Sequence, residues 1–85
     1  MEAQFPDVGA DHPDSIDAAA NLATTYWDQG QRDMAERMYE QVVERSVRVI
    51  GREHPDTQRY VNNLITVYTK LGKLERAQET RKLLV

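Results

Sequence analysis

The sequence predicts an all-α fold of two stacked helix-turn-helix hairpins, four antiparallel helices in all. Two observations carry that prediction. The phrase GADHPDS at residues 9–15 returns as GREHPDT at 51–57, so that His12 and His54 stand 42 positions apart. The echo keeps its register without a gap, pairing Gly9 with Gly51, Asn21 with Asn63, Leu22 with Leu64, Thr24 with Thr66, Tyr26 with Tyr68, Gly30 with Gly72 and Ala35 with Ala77. A period of about 20 to 50 residues marks supersecondary units that bury their apolar faces only against neighbours. Within each unit, moreover, apolar residues recur at helical spacing on both sides of one glycine.

The elements follow in order. Ile16, Ala19, Leu22, Ala23 and Tyr26 share one helical face and predict a first helix. Gly30 permits a tight reversal, and Ala35, Met38, Tyr39, Val42, Val43, Val47 and Ile50 then form the stripe of a second helix. Gly51 suits the left-handed residue that closes that helix. Pro55 suits the first turn of a third, with Asp56 and Thr57 placed to cap its positive end. Val61, Leu64, Ile65 and Tyr68 form the core face of the third helix, Gly72 its reversal, and Leu74, Ala77 and Leu84 the stripe of a fourth. Residues 1–85 are expected to form one domain. It has a lead-in at 1–13, a first repeat at 14–50, a connector at 51–55 and a second repeat at 56–85 that is either truncated or a polar cap.

Composition narrows the function. The chain has 40% hydrophobic and 29% charged residues, a globular balance, with no apolar run near the length of a membrane span. A formal net charge of −3 lacks the clustered cations that nucleic acid or an anionic membrane needs, so neither is an expected partner. The chain contains no cysteine, which removes disulfides and thiolate chemistry. The acidic start resembles no secretory signal, and a cytoplasmic setting is expected. No Gly-rich phosphate cradle occurs, neither Ser15 nor Ser46 has a histidine in plausible relay, and the carboxylates are spread along helix faces. No enzyme activity, cofactor or metal is expected. His12 and His54 belong to different units, about 10 Å apart by helix-packing distance, too far to share an ion.

The chain resembles a tetratricopeptide repeat (TPR), in the longer form found in kinesin light chains. The residues that carry the likeness are Asn21, Leu22, Ala23, Tyr26, Gly30, Ala35 and Tyr39 in the first unit, and Asn63, Leu64, Tyr68, Gly72 and Ala77 in the second. Two positions depart from the pattern, Ile65 where a small residue is usual and Arg81 where an aromatic is usual. The resemblance implies a short right-handed α-solenoid that binds a peptide segment of another protein on the concave wall of its A helices. Carried over by position, the wall is Asp17, Ala20, Thr24, Trp27 and Asp28 from the first A helix, with Arg59, Asn62, Thr66, Thr69 and Lys70 from the second. It also implies a fragment or terminus of a longer array in a signalling or scaffold protein. Asn21 and Asn63 are expected to hydrogen-bond between helices, and Tyr26, Tyr39 and Tyr68 to sit in the core. Because two repeats fall short of the usual three, the rival reading is a structural unit that self-associates through its exposed ends.

Overall fold

A computed structural model describes residues 13–84 as four α-helices: α1 Pro13–Asp28, α2 Arg32–Val49, α3 Pro55–Lys70 and α4 Leu74–Arg81. They form two antiparallel hairpins, α1 on α2 and α3 on α4, joined face to face by the packing of α2 on α3. Among the described residues there is no strand, and no helix is long and apolar enough to cross a membrane. His12 and Gly9 lie outside the described residues.

The period is visible in the backbone. Both A helices, α1 and α3, begin at a proline and run 16 residues. Both hairpin turns close the same way. In the first, Gly30 donates its amide to the Trp27 carbonyl and Gln31 donates to Tyr26; in the second, Gly72 donates to Thr69 and Lys73 to Tyr68. This paired pattern satisfies carbonyls that the helix end would leave orphaned.

The connector uses a third left-handed glycine. Gly51 has φ of 99° and donates to the Ser46 carbonyl at 3.0 Å, closing α2. A Cβ there would meet nothing within 4 Å, so backbone strain alone opposes a side chain. Gly51→Ala is therefore expected to cost about 1 to 2 kcal/mol, and Gly51→Asn less, measured by urea denaturation. Pro55 occupies the first turn of α3 as its missing donor predicts. Asp56 stands in the first turn of α3, as expected, but the capping side chain is another. His54 is the N-cap, its Nδ1 accepting the Asp56 amide at 3.0 Å, whereas Thr57 is wholly buried and its hydroxyl has no partner among the described residues. Nearby, the Gln58 amide nitrogen donates both to the Arg52 carbonyl at 2.8 Å and to the Leu83 carbonyl at 3.1 Å, tying connector to tail.

The core runs through both hairpins from Ile16, Ala19, Ala20 and Ala23 to Val61, Leu64, Ile65 and Ala77. Small residues on α1 allow close approach to α2, whose Val42 and Ala35 are 0% exposed. Two residues of the expected core stripes are exposed instead. Leu22 is 39% exposed and Leu74 59%. Leu22 sits on α1, whose main helix neighbour is α2 alone, while its counterpart Leu64, on a helix packed between α2 and α4, is 4% exposed. Leu74 opens α4, a helix of 8 residues that is mostly polar. Tyr39 and Tyr68 are buried, and Tyr26 is half-buried against the same cluster.

Candidate interaction surface between the hairpins

The two A helices, with Tyr39 of α2 behind them, enclose a cleft of about 170 Å³ lined by Trp27, Tyr39, Asn63, Thr66, Val67 and Lys70. That volume is on the scale of one large amino-acid side chain. Trp27 supplies a half-buried aromatic wall, and the Arg32 guanidinium stacks 4.5 Å from its ring centroid. Behind it, the Tyr39 hydroxyl shares a 2.6 Å hydrogen bond with Thr24. The Asn63 carboxamide and the Lys70 ammonium have no partner among the described residues, so the rim keeps a donor, an acceptor and a cation available. A larger hollow of about 500 Å³ beside Gly72–Arg76 is lined by a single turn. Its two cations are already engaged, Lys73 with Glu36 and Arg76 with Glu40.

The residues expected on the wall divide into three groups. Trp27, Thr66 and Lys70 meet at the cleft, and Thr24 braces it through Tyr39. Asp28, Asn62 and Thr69 are exposed on the A helices without lining the cleft. Asp17 and Arg59, by contrast, are bonded to each other at 3.3 Å, and Ala20 is 4% exposed and belongs to the core. Threonine hydroxyls on this face are also committed. Those of Thr24, Thr66 and Thr69 donate to the carbonyl four residues earlier, which leaves them only acceptor capacity toward a ligand.

Two expectations change at this surface. Neither Asn21 nor Asn63 forms an interhelix hydrogen bond through its side chain among the described residues; Asn21 is exposed and Asn63 lines the cleft. Beside the shared apolar core, the hairpins are joined by polar contacts, and of their members the repeat pattern marked Tyr68 but not Tyr60, Glu36, Glu40 or Lys73. The Tyr60 hydroxyl donates to Asp17 Oδ1 at 3.0 Å, and Tyr68 donates to Glu40 Oε2 at 2.5 Å. Lys73 Nζ lies 2.7 Å from Glu36 Oε2, and Glu36 is only 7% exposed. Burial, then the bond to a carboxylate, pushes each phenol up to about 12. Tyr60 was legible through its helical spacing with Leu64, Val67 and Tyr68, a stripe continuous with the core face.

The family model described as tetratricopeptide repeat matches residues 15–56. Residues 15–56 are a tetratricopeptide repeat. The match covers the first hairpin, the connector and the start of α3, and the second hairpin repeats the first in register. TPR units are, as a class, non-catalytic protein–protein interaction modules. No curated protein sequence matches the chain.

Proposed function

We propose that the chain binds a peptide segment of another protein along the seam between α1 and α3, seating one apolar side chain in the cleft beside Trp27. The observation that carries this reading is the conjunction at one cleft of an aromatic wall with the unpartnered Asn63 amide and Lys70 ammonium. An amide can pair with the extended backbone of a peptide, a tryptophan is a frequent interface anchor, and the Lys70 ammonium can meet a carboxylate. Most charged side chains at the hairpin junction are satisfied within the chain, which sets Lys70 apart.

The test is affinity for peptides selected from a random library on the native chain. Trp27→Ala is expected to weaken binding by at least about tenfold and Asn63→Ala by a smaller factor, with helicity by circular dichroism unchanged. Equal affinity of native chain and Trp27→Ala for every selected peptide would overturn the proposal.

A further inference from the structure

The cleft beside Trp27 has a hydrogen-bond polarity as well as a shape. Two hydroxyl-bearing side chains line it, Tyr39 and Thr66. The Thr66 hydroxyl donates to the Asn62 carbonyl at 3.0 Å, one turn back on α3. Thr24 likewise donates to the Ala20 carbonyl at 3.2 Å, so the proton in its 2.6 Å bond with Tyr39 comes from the phenol. A relay thus runs from Tyr39 through Thr24 to the backbone of α1. Both lining hydroxyls have spent their only proton, and each oxygen keeps only the capacity to accept.

The donors of the cleft are other groups. The Asn63 carboxamide nitrogen, the Lys70 ammonium and the Trp27 indole N–H have no acceptor among the described residues. A wholly apolar occupant would satisfy neither set. It would matter most at Tyr39, which is 5% exposed, because a side chain seated over it removes the last water from its oxygen and leaves that oxygen short of a donor. Thr66 is exposed on α3, where water can serve it. An ammonium or an indole N–H would donate to Tyr39 but leave Asn63 and Lys70 unanswered, and a carboxylate would set acceptor against acceptor. A hydroxyl both donates and accepts. The Trp27 wall, in turn, suits a flat apolar body, and about 170 Å³ holds one large side chain. Among the common side chains, tyrosine joins an aromatic body to a hydroxyl tip.

We infer that the side chain seated in the cleft is a tyrosine of the bound peptide, an inference that rests on the peptide-binding reading above. Its ring lies against Trp27, its O–H donates to the oxygen of Tyr39, and its own oxygen accepts from Asn63 or Lys70. Tyr39 is then the residue that sets the specificity of the cleft, and the commitment of Thr24 to the α1 backbone keeps Tyr39 an acceptor.

Peptides selected from a random library on the native 85-residue chain test this, sorted first by whether Trp27→Ala weakens them. Those that depend on Trp27 are expected to share a tyrosine. Replacing that tyrosine by phenylalanine should weaken binding to the native chain by about five- to tenfold. Replacing it by 4-aminophenylalanine, whose neutral amine keeps a donor at the tip, should stay within about twofold. With Tyr39→Phe the preference for tyrosine over phenylalanine should shrink to less than about twofold. The comparison of peptides on the native chain needs no altered protein, and so decides the matter even where Tyr39→Phe lowers helicity. Trp27-dependent peptides with no shared tyrosine, equal affinity of the tyrosine and phenylalanine forms, or a preference that survives Tyr39→Phe would each overturn the inference and leave peptide binding standing. Failure of Trp27→Ala to weaken any selected peptide would overturn the peptide-binding reading, and this inference with it.

Discussion

Leu64→Ala is expected to destabilise the fold by about 3 kcal/mol, whereas Leu22→Ala, at the equivalent position one period earlier, is expected to cost less than about 1 kcal/mol. The side chains and helix registers are the same, and only the neighbours differ. Leu64 is 4% exposed in the core shared by both hairpins, and truncating it leaves a cavity between helices that cannot close without moving the junction. Leu22, 39% exposed, already meets water. In a domain of this size the loss at Leu64 amounts to a melting temperature lower by about 15 °C. Thermal melts of both variants make the comparison. Equal effects at the two sites would mean that α1 is covered as fully as α3.

The second large effect is alkaline. Tyr60 and Tyr68 are each raised from 10.0 to about 12 by burial and by donating to a carboxylate, Asp17 for one and Glu40 for the other. A folded state that holds its phenol protons more tightly than the unfolded chain is stabilised in full below pH 10. That contribution is lost as pH rises through about 12. The junction should therefore open between those values, and helicity followed by circular dichroism should fall cooperatively there. Tyr60→Phe and Tyr68→Phe each remove one titrating group along with its hydrogen bond. Each variant should be less stable at neutral pH, by about 1 kcal/mol, and lose less of its remaining stability above pH 10. Unchanged alkaline sensitivity in the double variant would assign the transition to other groups.

The architecture was legible because its information is local and repeated. Helical spacing, turn glycines and prolines act within a few residues, and the 42-residue echo reads each signal twice. What the echo could not give is contact across the period. It placed Asp17 and Arg59 on one ligand-facing wall, where the structure spends them on each other. Glu36 with Lys73, and Glu40 with Arg76, pair off the repeat register, so aligning the units leaves those partners unmatched. Leu22 was expected in the core because its neighbours in sequence suit one, yet burial depends on a helix that must come from outside the hairpin. Trp27 and Lys70 were found by position in the family pattern, whereas Asn63 gained its place in the cleft only from the way α3 meets α1 and α2.

Gln58 ties the tail to the connector through two hydrogen bonds from one amide nitrogen. A short terminal helix such as α4 would ordinarily fray independently of the rest. Here the carbonyl of Leu83 shares its donor with the carbonyl of Arg52, at the mouth of the connector. A swing of the Gln58 side chain therefore frees the tail and the segment between the hairpins together. Backbone amides in the two places are expected to exchange with deuterium through one shared opening, and a protease acting at the tail would sample the same event as one acting at the connector.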